Sequence, residues 1–238
     1  MSYAVVLPAG GLGKRVGGEF PKQLQPLMGR PMYTYSLEMF LRIDEIQEVV
    51  LAVPADWESV FREQLLAPEA LKPEWAKKLK ITLGAEERWL SVRKGVEALS
   101  SDAEYVLVHD VARPLLSEAI TREVMHTVAG RGACIAALSV VDTVKIVREG
   151  KIMQTIPRED VWLAQTPQAA KVAVLKELYA KMDAAPLDFL PTDEASILEH
   201  FKESVFVVPG DFLNDKITTL EDFTRFENFL KFKTQAHG

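Results

Sequence analysis

Cysteine is nearly missing from this chain: Cys134 is the only one. An intramolecular disulfide is therefore excluded, and nothing supports a cysteine-built zinc site. Long apolar runs are missing too, and no stretch approaches the ~20 residues that a membrane-crossing helix needs. No charged-then-apolar leader with a small-residue cleavage site precedes the first apolar segment, so no secretory signal is expected. There is no excess of basic charge: 28 Lys and Arg stand against 34 Asp and Glu, a net charge of −6. A broad basic surface for nucleic acid is thereby excluded, and cations that bind an anion must be local. Internal repeats and low-complexity segments are absent as well. What remains, with 48% hydrophobic residues in 238, is enough for one sizeable core. The expectation is a cytoplasmic protein of one domain, residues 1–238, with neither a membrane nor a nucleic-acid partner.

What is abundant is glycine, in one place. The chain opens "MSYAVVLPAGGLGKRVGGEFPKQ", with five glycines from Gly10 to Gly18. Glycine lets main-chain N–H groups approach a ligand, and successive N–H groups form a concave anion site. A following helix N-terminus would add its dipole. Lys14, Arg15 and Lys22 supply formal charge. Together these features suggest a polyphosphate cradle, the plainer alternative being a tight turn with incidental charges. The generic phosphate motifs fail: the dinucleotide fingerprint would need glycine at Val16, and the Walker pattern would need Ser or Thr at Arg15.

Along the chain, short β-branched runs alternate with helical periodicity. Strands are expected at Tyr3–Leu7, Glu48–Val53, Lys80–Leu83, Tyr105–His109, Ala133–Val140 and Ser204–Val208. Helices are expected at Pro31–Ile43, Trp57–Leu66, Arg88–Leu99, Glu118–Ala129 and Leu220–Lys231. Residues 67–80 read as a surface excursion. This alternation predicts an α/β fold: a mostly parallel, Rossmann-like sheet with helices on both faces. In such sheets ligands bind beyond the carboxyl ends of the strands. "LPAGGLGKR", "HDVARP" and "SVVDTVK" each follow a strand and would converge there. From 141 to 158 the pattern becomes alternating around Glu149-Gly150, a hairpin signal. It predicts a projecting β-arm, whose apolar face implies a homodimer; the alternative is a hairpin folded back on its own sheet.

"PAGGLGKR…PKQ" resembles the signature of sugar nucleotidyltransferases. "HDVARP", "DTVK", "TPQ", "TDEAS" and "NDKITTLEDF" then follow in the order of one branch, the 2-C-methyl-D-erythritol 4-phosphate cytidylyltransferase family. The likeness runs over about residues 3 to 225. It implies a reaction of CTP with methylerythritol phosphate that yields the CDP-linked polyol and pyrophosphate, by in-line attack of a phosphate oxygen on the α-phosphorus. The attacking phosphate is already ionised, so the obstacle is charge. At ~4 Å each like pair costs about 4 kcal/mol at an effective dielectric near 20. Placed cations and a divalent metal, Mg²⁺, should carry most of the catalysis.

The resemblance assigns residues as follows. Arg15 and Lys22 would stabilise charge on the α-phosphate. Pro8, Ala9, Gly10, Gly11, Leu12 and Gly13 would give main-chain contacts to the nucleotide, with Lys14 a lesser phosphate contact. Gly84, Ala85, Glu86 and Ser91 would read the base, although Glu86 stands where relatives carry aspartate and Ala85 where they carry glycine. Asp110 would lie by ribose, phosphates and metal. Arg113, Thr143, Arg158, Thr166 and Lys216 would contact the polyol phosphate, Thr143 and Arg158 from the other subunit's arm. Arg88 is either a helix-start residue or a ligand contact. His109 reads as a packed strand-end histidine, and Asp193 and Glu194 as the opening of a helix capped by Thr192. Ribitol-5-phosphate cytidylyltransferase shares the fold, the loop, "TPQ" and "KITT", and is the nearest alternative. A non-catalytic nucleotide-binding protein is another, but the cations Arg15, Lys22 and Lys216 argue against it. A dinucleotide oxidoreductase fails at Val16.

Overall fold

A computed structural model describes residues 1–10, 20–67, 71–100, 102–184 and 189–236. Residues 11–19 lie outside it, so the expectations for Gly11, Leu12, Gly13, Lys14 and Arg15 fall outside the described residues. In chain order the strands are β1 (Tyr3–Pro8), β2 (Pro26–Leu27), β3 (Arg30–Pro31), β4 (Ile46–Val53), β5 (Leu79–Leu83), β6 (Tyr105–Val108), β7 (Ala133–Ser139), β8 (Val144–Arg148), β9 (Lys151–Ile156), β10 (Trp162–Lys171) and β11 (Phe206–Pro209). The helices are α1 (Tyr33–Leu41), α2 (Glu58–Leu66), α3 (Pro73–Ala76), α4 (Arg88–Glu97), α5 (Glu118–Arg131), α6 (Val172–Ala184), α7 (Glu194–His200) and α8 (Leu220–Ala236).

Seven strands form the main sheet in the order β11-β7-β10-β6-β1-β4-β5. β1 is buried along its whole length and pairs in parallel with β4 and β6. That is what an uninterrupted "YAVVLP" run permits, since a central strand covered on both faces has no polar side. Val5 and Leu7 join a core with Leu37 and Phe40 of α1 and Val124 of α5. Val6, on the opposite face, joins Val92 and Val96 of α4, Leu178 of α6 and Ile197 of α7. Each fully buried aliphatic side chain contributes roughly 1.5–3 kcal/mol. α4 lies so close to β1 that a Cβ at Gly95 would sit 2.4 Å from Val6 Cγ1, so this crossing requires glycine.

The mostly parallel sheet and the two helical layers agree with the sequence reading. β10 and the helix that follows it, α6, are among the elements that reading lacks. β10 lies antiparallel between β6 and β7, with its register shifting between Ala164 and Gln168, and so threads "TPQ" through the sheet beside "HD". The 67–80 excursion carries the short helix α3. A third apolar cluster packs Phe223 and Phe226 of α8, with Ile217, against Leu27, Met32 and Ala112. It draws the 214–218 segment to the strand ends.

Among the described residues, β8 and β9 pair only with each other. Their turn has Glu149 at φ 50° and Gly150 at φ 77°, the two positive values of a hairpin turn that follows strand twist. Ile146, Val147, Ile152 and Met153 are all exposed. The hairpin therefore projects rather than folding back on its own sheet.

Candidate active site

The carboxyl ends of β1, β5 and β6 open into one cavity. Pro8, Gly10, Ala85, Glu86, Ser91 and Asp110 line it, together with Lys22, Gln23, Arg88, Lys216 and Thr218. Lys22 is held at its edge, its Nζ donating to the Ile217 carbonyl at 2.8 Å. Gln23 Nε2 donates to the Gly10 carbonyl at 2.9 Å and ties the two ends of the glycine-rich segment together. Ala9 N donates to the Ala52 carbonyl at 2.8 Å, so it continues the sheet and is buried.

Ser91, one turn into α4, is buried beneath two loops. Its Oγ accepts from Ala85 N at 2.9 Å and lies 3.2 Å and 3.1 Å from the carbonyls of Ala85 and Glu87. A Cβ on Gly84 would come within 3.0 Å of this oxygen, and one on Gly10 within 3.4 Å. The hydroxyl thus shapes the 84–87 turn as well as facing the cavity. Glu86 is exposed on its rim.

Asp110 is the electrostatic centre. Its Oδ1 accepts from Arg88 Nε at 2.8 Å and its Oδ2 from Lys216 Nζ at 2.7 Å. Arg113 Nε stands 4.0 Å from Oδ2. That N–H has no hydrogen-bond partner among the described residues, while Arg113 Nη1 donates to the Asn214 carbonyl at 2.8 Å. Burial pushes the Asp110 carboxyl up, but Arg88 and Lys216 outweigh it and hold the group well below the usual carboxylate range. Arg88 also forks onto Glu194, Nη1 to Oε1 at 2.9 Å and Nη2 to Oε2 at 3.0 Å. Burial drives the Glu194 carboxyl up, and Arg88 opposes it.

His109 is wholly buried. Its Nε2 lies 3.1 Å from the Arg113 carbonyl and its Nδ1 2.9 Å from Thr166 Oγ1. Thr166 Oγ1 in turn accepts from Asp110 N at 3.2 Å. The chain of donors closes with a neutral imidazole: Nε2–H donates to the carbonyl, and the threonine hydroxyl donates to Nδ1. Burial pulls this histidine down to about 4. It is a packed strand-end group, as the sequence suggested.

One expectation changes, at the cap of α7, and three residues assigned to the polyol phosphate lie away from the cavity. Thr166, assigned to the polyol phosphate, lies outside the cavity lining, and its hydroxyl is spent on His109 and Asp110. The cap of α7 is Asp193 rather than Thr192: Asp193 Oδ1 accepts from Ser196 N at 2.9 Å, and Ser196 Oγ returns to Asp193 N at 3.3 Å. This reciprocal box satisfies two donors where a threonine one residue earlier would satisfy one. Glu194 does open the helix, but its carboxylate belongs to Arg88. Thr143 and Arg158 do not line their own chain's cavity. Both are exposed at the base of the arm, with Arg158 Nη1 donating to the Val141 carbonyl at 2.6 Å. The sequence reading left Arg88 open and passed over Gln23, Asn214 and Thr218. Asn214 is fully buried, its Nδ2 donating to the Thr166 carbonyl at 2.7 Å. Its setting in "FLNDK" offered no periodic signal.

Comparison with known proteins identifies the arrangement. The profile of the family IspD, 2-C-methyl-D-erythritol 4-phosphate cytidylyltransferase, matches residues 3–232. A protein of that name from Geobacter metallireducens is 36% identical over 236 residues, covering 98% of this chain and 99% of its own. One from Halalkalibacterium halodurans is 37% identical over 230 residues, 97% of each. Among solved structures, 4-diphosphocytidyl-2C-methyl-D-erythritol synthase from Anaerococcus prevotii superposes with a TM-score of 0.81 at 29% identity, covering 97% of this chain and 98% of that one. The Thermus thermophilus 2-C-methyl-D-erythritol 4-phosphate cytidylyltransferase gives 0.75 at 28% identity, covering 97% and 100%. The sheet with its cationic cavity is thus that of a nucleotidyltransferase, an enzyme. Within that class the chain belongs to the 2-C-methyl-D-erythritol 4-phosphate cytidylyltransferase family, and the ribitol alternative is not favoured.

Proposed function

We propose that this chain transfers the cytidylyl group of CTP to 2-C-methyl-D-erythritol 4-phosphate in isoprenoid precursor synthesis. The observation that carries the reading is the group around Asp110: one ionised carboxylate with Arg88 and Lys216 on it and Arg113 nearby, in a cavity also lined by Gly10, Lys22 and Ser91. An oxygen of the acceptor phosphate attacks the α-phosphorus in line. The new P–O bond forms as the bond to the β-phosphate oxygen breaks, and pyrophosphate leaves with the electron pair. No proton need move. The protein's task is to bring two polyanions together and to stabilise charge on the five-coordinate phosphorus. Lys22 at the cavity edge and Arg15 on the glycine-rich segment take that role. Lys216, on the cavity wall, and Arg113, next to Asp110, take the acceptor phosphate.

A divalent cation fits this donor set as a phosphate-borne ion. Asp110 supplies a hard carboxylate oxygen, and no cluster of three His, Cys, Asp or Glu exists among the described residues. Mg²⁺ commonly binds through phosphates and one or two carboxylates. When bound it would neutralise phosphate charge, with Asp110 as its protein ligand. The arm supports a homodimer in which Thr143 and Arg158 serve the neighbouring subunit, because both sit away from their own cavity at the base of an arm whose Ile152 and Met153 are exposed. No helix among the described residues is long and apolar enough to cross a membrane, and we place the reaction in the cytoplasm.

Pyrophosphate release with Mg²⁺ and CTP tests the reading, with methylerythritol 4-phosphate compared against ribitol 5-phosphate. Strong preference for the first is expected. Preference for the second would retain the chemistry and change the acceptor, and no release with either would overturn the proposal.

A further inference from the structure

Arg88 uses all three guanidinium nitrogens on two carboxylates: Nε on Asp110 Oδ1, and Nη1 and Nη2 on the two oxygens of Glu194. A bidentate fork fixes the plane of a guanidinium as well as its position. The frame behind it is rigid. The Glu194 side chain is 3% exposed on the first residue of α7. The start of that helix is pinned to β10, Gln168 Oε1 accepting from Ala195 N at 3.0 Å and Gln168 Nε2 donating to Asp193 Oδ2 at 2.8 Å. β10 is itself bonded to β6, the strand that delivers Asp110.

Arg88 therefore does more than join α4 to α7. Its Nε, held in a plane set by Glu194, occupies Oδ1 and so fixes the rotation of the Asp110 carboxylate. Oδ2 is left as the oxygen turned toward Lys216 and Arg113. Lysine could not replace it, because a single ammonium cannot span both carboxylates in a fixed plane. We infer that Arg88, backed by Glu194, is a positioning residue that orients Asp110 for the nucleotide and its metal. The inference rests on the proposed function and assigns part of that same site.

The experiment is a double-mutant cycle of Arg88→Lys with Asp110→Asn, read as turnover of CTP and methylerythritol phosphate across a Mg²⁺ titration. Arg88→Lys alone should lower turnover about 10–100-fold and raise the Mg²⁺ concentration for half-maximal rate, the range seen when a partner of a metal-binding side chain is removed. In the Asp110→Asn background the same change should cost little more, because Arg88 acts through the carboxylate already lost. Equal fold-losses in both backgrounds would overturn the inference, as would a lowered melting temperature with unchanged kinetics. If Arg88→Lys does not fold, Glu194→Gln keeps the shape and Arg88 while weakening the fork. It should shift turnover and Mg²⁺ dependence in the same direction by a smaller factor, and unchanged values would count against the inference. Wild-type turnover separates the levels: a chain that releases no pyrophosphate overturns both readings, whereas a working wild type with multiplying losses overturns Arg88's role alone.

Discussion

Residues assigned to the acceptor phosphate occur in two places, and the two are built in opposite ways. Around Asp110, Arg113 and Lys216 are held by groups far away in the chain and largely out of water. At the arm, Thr143 and Arg158 are exposed, and the bond found for Arg158 is to the main chain of Val141, within the same projection. The first place has its geometry before any ligand arrives, so the ordering cost falls on folding rather than on binding. The second takes its geometry from whatever docks against it. Chemistry at phosphorus needs the first kind of site, and a shared active site can use the second.

The sharpest way to break this contrast is Asp110→Ala. Three cations would then face one another without the carboxylate, and breaking a buried pair by removing one partner costs roughly 3–5 kcal/mol. Urea unfolding measures it; a loss below about 1 kcal/mol would make the group no more than a surface ion pair. Lys22→Ala comes next. Turnover should fall roughly 10²–10³-fold, the scale for one lost transition-state donor, while the protein stays folded by circular dichroism. Arg15→Ala should behave alike, and normal activity in either variant would defeat the charge-stabilisation account.

The pH dependence of stability is a subtler probe. His109 is held down to about 4 in the fold against an ordinary 6.5, so the unfolded chain takes up its proton first. Its contribution is complete above about 6.5 and is lost as pH falls toward 4. Between pH 7 and pH 5 about 2 kcal/mol should disappear, and His109→Gln should flatten that part of the curve. Arg158→Ala should move least. Stability should stay within about 0.5 kcal/mol, while the KM for the acceptor phosphate rises. Mixed dimers of Lys22→Ala and Arg158→Ala subunits should regain one working site of two, and no recovery would confine each site to a single subunit.

The sequence made some of this plain and hid the rest for physical reasons. β1 and β6 were legible because a strand covered on both faces must be apolar throughout. The arm was legible because Glu149-Gly150 is the chemistry that its turn requires. β10 was not, since it changes register at Gln165–Pro167 and mixes polar side chains into a buried strand. The cluster at Asp110 was legible as separate motifs but not as one object. "EERWLSV", "HDVARP", "TDEAS" and "NDKITT" each mark the end of a separate element or a loop, and nothing in their local spacing says that Arg88 reaches Glu194. Ser91 and Lys216 carried enough motif to be named, whereas Gln23 and Asn214 matter through burial, which a sequence shows only indirectly.

The span of these contacts has a consequence for how the protein is made. Arg88 meets Glu194, and Lys216 meets Asp110, across 106 residues, and Lys22 meets Ile217 across 195. A nascent chain therefore carries Asp110 long before synthesis reaches the lysine that sits on it. A fragment ending before residue 216 lacks the lysine on Asp110 Oδ2 and the carbonyl that holds Lys22, although Gln23 can still bond Gly10. The centre of this site is thus closed only once residues 216 and 217 have been made, long after the strands that carry Asp110 and the glycine-rich segment.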